Sequence, residues 1–142
     1  MMLDEVGAYL EAQSVGTVKT ASNDPAWPIQ KGGLYPGTAA HPDDAIGLLE
    51  GPGEGPIRQM DATVGAVAAE APSLVLNLRS ATYSAGRTKA EAVWRKLHNY
   101  SGTLSGVRYL LIEARQQPFP VGRDDKDRWI FGCNFDVTKE QS

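Results

Sequence analysis

Few residues in this chain have the types and spacing that catalysis or metal binding requires. The two histidines, His41 and His98, stand far apart, and no HxxxH, HExxH or CxxC spacing occurs, so a zinc site would lack ligands. Cys133 could act as a nucleophile with His98 as its base. It falls on the aromatic face of a predicted strand, however, where a small buried apolar residue is the expected role. We therefore predict a protein that is not an enzyme.

Two other segments carry residues that ligand-binding loops use. Asp124, Asp125 and Asp127 form an acidic run, but this run lacks the glycine and the bidentate glutamate of a calcium loop. The glycines of residues 51–55 lack the GK[ST] ending of a phosphate-binding loop. The sequence therefore predicts no metal and no cofactor, and it indicates that the acidic run is a solvated hairpin tip.

The overall composition is that of a globular protein. The 142 residues are 42% hydrophobic and 22% charged with a net charge of −3, which favours one domain over residues 1–142. No basic run suggests nucleic-acid binding; Arg87, Lys89, Arg95 and Lys96 would share part of a solvated helix face. No signal peptide or membrane-length apolar run is evident, so we expect a soluble protein made in the cytoplasm, with no membrane partner.

In the first half of the chain, the pattern of apolar residues predicts short elements. Residues 2–13 favour an amphipathic helix with Leu3, Val6 and Leu10 on one face. Extended pieces are predicted at 27–31 and 44–50, and a further short strand at 57–60. Residues 51–56 are predicted as a loop because glycine and proline dominate them, and residues 61–72 show no clear periodicity.

The second half shows clearer alternation. Leu74, Leu76 and Leu78 indicate a half-buried strand. Residues 84–100 favour a helix that starts at Ser84 as N-cap and ends before Gly102, with His98 as a surface residue near its end. The apolar stripe of this helix comprises Ala90, Val93, Trp94, Leu97 and Tyr100.

Two long strands, 107–116 and 129–138, are predicted to form a C-terminal β-hairpin with a polar tip. The second strand alternates strictly, with one face made of Trp129, Phe131, Cys133, Phe135 and Val137. Runs of strands without regular βαβ alternation indicate an α+β fold. We expect an antiparallel sheet of about four to five strands, with an N-terminal helix and a second helix packed on it.

The first hairpin strand is apolar on both faces, which suggests an assembly surface. Leu110, Ile112 and Ala114 would fill the core, while the face with Val107, Tyr109 and Leu111 needs a second cover. That cover is either a neighbouring subunit or a helix of the same subunit. The predicted interface combines two residues of this face with residues 123–128 between the two strands: Tyr109, Leu111, Arg123, Asp124, Asp125, Lys126, Asp127 and Arg128.

Several segments, taken in order, are similar to those of one family. They are PDDAIGLLEGPG from Pro42, LVLNLRS from Leu74, the helix from Ala85, and then GVRYLLIEA, PFPVGRD and CNFDV from Gly106, Pro118 and Cys133. This ordered combination resembles the minor capsid and tail-terminator family of long-tailed bacteriophages. The similarity runs through most of the chain and is clearest after Leu74, whereas the Ala-rich loop of residues 51–72 departs from the family's pattern.

The resemblance implies a non-enzymatic virion subunit, assembled in the host cytoplasm, that forms a homohexameric ring. Such a ring would lie at the neck, cap the head-proximal end of the tail tube and stop tube polymerisation. Its partners would be the tail-tube protein and head-completion proteins, and DNA would pass through its lumen without specific binding, which suits an acidic chain. The alternative is a head-closure or capsid-associated minor structural protein of the neck.

Overall fold

A computed structural model describes residues 2–20, 26–34, 43–57 and 69–140 of the chain. Within these ranges the chain forms two helices and eight strands: α1 (Met2–Ala12), β1 (Thr17–Val18), β2 (Pro28–Lys31), β3 (Ala45–Ile57), β4 (Ala69–Ser80), α2 (Tyr83–Leu97), β5 (Tyr100–Leu104), β6 (Val107–Ala114), β7 (Phe119–Arg123) and β8 (Trp129–Lys139). Neither of these helices has the length and apolar character needed to cross a membrane.

The eight strands form one mixed sheet in the order β1-β2-β3-β4-β8-β6-β5, and β7 pairs with β8. β1, β2 and β3 run parallel to one another, and the other pairs are antiparallel. The predicted antiparallel sheet of about four to five strands is therefore wrong, although helices packed on a sheet remain an α+β fold in the broad sense. β1 and β2 are only two and four residues long, so their sequences carry too little alternation to reveal strand number or direction.

Strand β3 continues through residues 51–56, where glycine and proline content predicts a loop. The loop prediction is therefore wrong. The strand accommodates these residues through two shifts in its register with β4, one between Gly51 and Glu54 and one between Glu54 and Ile57. In the described part of the chain, β2 pairs with β3 only as far as Leu48, so the distal half of β3 is an edge strand. Edge positions and bulges tolerate proline, because no ladder hydrogen bond is lost there.

The strand predicted at residues 57–60 is described only at Ile57, which ends β3, and residues 58–60 lie outside the described ranges. The segment 61–72, for which the sequence predicts no element, is described from Ala69, where β4 begins. Its remaining residues, 61–68, also lie outside those ranges.

Strands β4 and β8 form the centre of the sheet and confirm the predicted alternation. Leu76 pairs with Cys133 and Leu78 with Phe131, so these side chains point to the same face. That face is the core, which buries Leu74, Leu76 and Leu78 of β4 and Phe131, Cys133, Phe135 and Val137 of β8.

Helix α1 confirms the predicted amphipathic helix, since Leu3, Val6 and Leu10 are all buried. It packs against β1, β2 and β3 at one end of the sheet order and also against β5 at the other end. The Tyr9 ring lies 4.6 Å from the ring of Tyr100 in β5. The sheet therefore curls around α1, so its two ends approach the same helix.

Helix α2 buries Val93 and Leu97 as predicted, while Trp94 is only partly buried. Its N-cap is Thr82, whose side chain accepts a hydrogen bond from the Ala85 backbone N–H, and not Ser84. The helix ends at Leu97, earlier than predicted, because its C-cap His98 is extended and Asn99 takes a left-handed conformation with φ of 61°. The residues proposed for its end, Tyr100 and Gly102, belong to β5.

Strand β6 does not keep the predicted division into two faces. Its register with β8 shifts between Tyr109 and Leu111, so a bulge changes which residues point inward. Tyr109 and Ile112 are both completely buried, whereas Leu110 and Leu111 are exposed. The prediction that Tyr109 and Leu111 share a face is therefore wrong, and Tyr109 belongs to the core of its own subunit.

Candidate assembly surface

The C-terminal hairpin is present, but its first strand is interrupted. β6 pairs with the second half of β8, and β7 pairs with the first half, from Phe119 opposite Gly132 to Arg123 opposite Trp129. The chain then turns through residues 124–128, which we call the hairpin tip. Six of the eight residues predicted at an interface, Arg123 and the five residues of the tip, thus lie together at one end of the sheet.

The hairpin tip is held by its own first residue, Asp124. The Asp124 carboxylate accepts hydrogen bonds from the backbone N–H groups of Lys126 (3.1 Å) and Arg128 (2.9 Å), and from the Arg128 guanidinium (2.8 Å). The backbone N–H of Arg128 is the main reason why the pKa of Asp124 lies below its usual value. The tip is therefore a preformed turn with its acidic group ionised at neutral pH.

Arg128 also ties the tip to the body of the sheet. Its guanidinium lies 3.8 Å from the Asp43 carboxylate just before β3, and Arg79 Nε donates a 2.8 Å hydrogen bond to the Asp43 backbone carbonyl. On the other side of the turn, Arg123 pairs with Asp127 at 3.1 Å and stacks over the Trp129 ring at 4.4 Å. These contacts orient the tip relative to β3, β4 and β8.

Two residues of the tip remain available to a partner. Asp125 and Lys126 are exposed, and no ion pair of their side chains occurs within the described ranges. The tip can therefore present one negative and one positive charge side by side in a fixed turn. This leaves Asp125 and Lys126 as the tip residues best suited to an interface, which stays a prediction.

The strands that flank β8 add exposed apolar side chains. Val121 and Phe119 of β7 are 61% and 43% exposed, and Leu110 and Leu111 of β6 are exposed as well. Val121 and Phe119 lie over Gly132, where an added Cβ would stand 3.2 Å and 3.7 Å from them. The sequence predicted Leu111 for this surface but did not predict β7. The sequence of β7, FPVGR, is short and contains a proline, and both features argue against a strand.

The residues considered for catalysis are occupied by structural contacts. The Cys133 thiol is buried and lies 3.1 Å from the Gln116 carbonyl, and burial raises the pKa of this thiol to about 11. The His98 ring stacks on Trp94 at 4.8 Å, and its Nδ1 accepts a hydrogen bond from the Ala114 backbone N–H. His98 is thus a packed residue that joins α2 to β6. His41 lies outside the described residues.

The side chains that could hold a metal are also scattered. No group of three His, Cys, Asp or Glu side chains arranged to hold a metal ion occurs in the described part of the chain. Asp124 and Asp127 are bound to Arg128 and Arg123 respectively. The acidic run therefore contributes to the turn and its ion pairs.

A cavity of about 320 Å³ lies where α1 leads into β1. Lys89 of α2 reaches this cavity, with its Nζ 5.2 Å from the centre of the Trp27 ring, and Glu11 stands at the end of α1. The cavity is lined by Glu11, Ser14, Val15, Gly16, Thr17, Ala26, Trp27 and Lys89. Sequence reasoning missed this site because residues so distant in the chain share no motif.

Comparisons with known proteins agree with the resemblance given by the sequence segments. A solved chain from "Virion of native gene transfer agent (GTA) particle" shares the fold with a TM-score of 0.65 and 16% identity, covering 99% of this chain and 95% of that one. No curated protein sequence matches the chain. Residues 9–141 match the family described as "Bacteriophage tail terminator protein". The predicted family is thus confirmed, and this chain belongs to the bacteriophage tail terminator protein family.

Proposed function

We propose that this chain is a non-enzymatic structural subunit of a phage virion that forms a hexameric ring. In this proposal the ring closes the head-proximal end of the tail tube, stops tube polymerisation and joins the tail to head-completion proteins at the neck. The observation that carries the proposal is the family match over residues 9–141, which spans nearly the whole chain.

The exposed features of the subunit support assembly. Large apolar side chains at a strand edge, such as Phe119 and Val121, mark a surface that gains stability when a partner covers it. Leu111 and the hairpin tip adjoin the same central strand, β8. Neighbouring subunits, the tube rim and the head-completion proteins are the partners proposed for these surfaces.

The net charge of −3 supports a lumen through which DNA passes without being held. Proteins that grip DNA neutralise phosphates with clustered basic residues, and their affinity grows with the number of such contacts. A ring of acidic subunits gains little from phosphate contacts. The proposal therefore includes DNA passage without specific binding.

The test is to add the purified protein to polymerising tail-tube protein and to measure tube lengths by electron microscopy. We expect shorter tubes of uniform length and a ring at one tube end, with a hexamer mass in native mass spectrometry. Unchanged tube lengths at stoichiometric excess would contradict the capping proposal. Binding of the ring to head-completion proteins without any effect on tubes would favour a head-closure role at the neck.

A matched pair of variants links this activity to the surface. Val121→Asp places a charge on the exposed edge of β7 and is expected to weaken assembly without unfolding the subunit. Thr88→Asp introduces the same charge at an exposed position of α2 and serves as the control. Equal activity of the two variants would exclude the β7 edge from the assembly surface.

A further inference from the structure

The Lys89 ammonium has an unusual environment for a cation. It is partly buried; burial lowers the pKa of this group, and the charge of Asp44 acts in the opposite direction. Among the described residues no carboxylate lies within ion-pair distance of it, and its contact is the face of the Trp27 ring. Charges that leave bulk water are usually paired, so Lys89 at the wall of an open cavity suggests an anionic group that enters from outside.

Glu11 gives the same cavity a second, opposite charge. One of its carboxylate oxygens accepts a hydrogen bond from the Val18 backbone N–H at 3.3 Å, which holds the side chain toward β1. The lining of the cavity therefore includes a cation and an anion, as well as the hydroxyl-bearing residues Ser14 and Thr17. A matching ligand carries one negative and one positive charge.

The hairpin tip carries that pair of charges. Asp125 and Lys126 are adjacent, exposed and unpaired within the described part of the chain. The turn that presents them is preformed by Asp124 and Arg128, so little conformational freedom is lost when a partner binds it.

A row of paired residues leads from β1, beside the cavity, to β7, the strand that runs into the tip. This row crosses six strands through Val18, Ile29, Ile46, Leu78, Phe131 and Pro120. At about 4.8 Å per strand, Val18 and Pro120 are about 24 Å apart along the sheet. A contact between two different surfaces of neighbouring copies is a head-to-tail contact, and such contacts form a closed ring when the rotation from one copy to the next closes.

We propose that the hairpin tip of one subunit enters the Glu11–Lys89 cavity of the next copy in the ring, with Asp125 beside Lys89 and Lys126 beside Glu11. This inference rests on the proposed ring function and names the contact between its subunits. Each subunit contributes one tip and one cavity, so every contact in a closed ring is identical.

Charge reversal tests this contact. Lys89→Glu and Asp125→Lys are made singly and together, and sedimentation gives the protein concentration at which half of the chains are assembled. We expect each single variant to raise that concentration by about tenfold or more, and the double variant to recover most of the loss. Arg95→Glu, an exposed position of the same helix, is the control and should assemble like the wild type.

A second pair, Glu11→Lys with Lys126→Glu, repeats the test independently of Lys89. Thermal melting identifies any variant that fails to fold, and Lys89→Met then replaces Lys89→Glu because it keeps the apolar stem. A wild type that forms rings while both pairs leave assembly unchanged, or show no recovery in the double variants, would overturn this contact alone. A wild type that stays monomeric, with or without tail tubes, would overturn the ring proposal and this contact with it.

Discussion

The phenol of Tyr109 donates a 2.6 Å hydrogen bond to the carboxylate of Glu5, which lies 104 residues earlier in the chain. Both side chains are buried. Glu5 belongs to α1 and Tyr109 to β6, so this bond joins the first helix to a strand near the far end of the sheet order. The Lys139 ammonium, at the end of β8, lies 5.8 Å from the Tyr109 ring. Three distant parts of the chain thus meet at one polar cluster inside the fold.

We expect Tyr109→Phe to lower the free energy of unfolding by about 1.5–3 kcal/mol, the range for a hydrogen bond to a charged group. The ring remains, so the loss reports on the hydroxyl group. Urea unfolding measures it, and Tyr83→Phe is the control because Tyr83 is 42% exposed. Equal stability of both variants would show that the Glu5 contact contributes nothing.

The burial of Tyr109 also changes what its replacement by aspartate should do. If Tyr109 lay at a subunit interface, Tyr109→Asp would give a folded monomer. Because the ring is completely buried, we expect the monomer itself to unfold, with a large fall in its melting temperature. A folded Tyr109→Asp monomer would contradict the position of this ring in the core.

Gly7 of α1 and Gly86 of α2 should respond in opposite ways to replacement by alanine. A Cβ at Gly86 would stand 2.6 Å from Phe131 Cε1 and 3.0 Å from Ser80 Cβ, so we expect Gly86→Ala to cost about 1–3 kcal/mol through overpacking. A Cβ at Gly7 meets Val18 at 3.6 Å, an ordinary contact. Gly7→Ala should therefore gain up to about 1 kcal/mol from helix propensity. Thermal melting that shifts both variants in the same direction would contradict this packing.

The Cys133 thiol should make stability depend on alkaline pH. Burial raises its pKa to about 11, whereas an unfolded cysteine ionises near pH 8.5. Since the folded chain retains the proton longer, this group leaves stability unchanged below about pH 8.5 and lowers it as pH rises toward 11. Urea unfolding at several pH values measures the slope, with Cys133→Ala as control. An identical slope in that variant would show that the thiol does not cause it.

The local signals in the sequence predicted the central elements well. The alternation in β4 and β8 and the helical stripe at Leu3, Val6 and Leu10 reflect burial on one face, which a sequence records directly. The family resemblance came from the same segments in order. These elements needed no knowledge of which strands would become neighbours.

The wrong predictions have a different physical origin. The bulge between Tyr109 and Leu111 changes the inward face by one residue, and alternating apolar residues on both sides of a strand give no sign of it. Thr82 and Ser84 are both residue types that favour the N-cap position. The choice depends on the backbone, which is extended at Thr82 and helical from Tyr83 onward. The cavity depends on contacts between α1, Trp27 and α2, which arise from the three-dimensional fold alone.

The distal half of β3 has a consequence for how many copies can associate. An exposed strand edge usually invites further strands, and addition of this kind has no natural end. Here two register shifts interrupt the edge, and Pro52 and Pro56 within it lack backbone donors. Pro120 of β7 likewise lacks a backbone donor. Copies of this chain are thus discouraged from extending a common sheet, and contacts through side chains, which can close on themselves, favour an assembly of finite size.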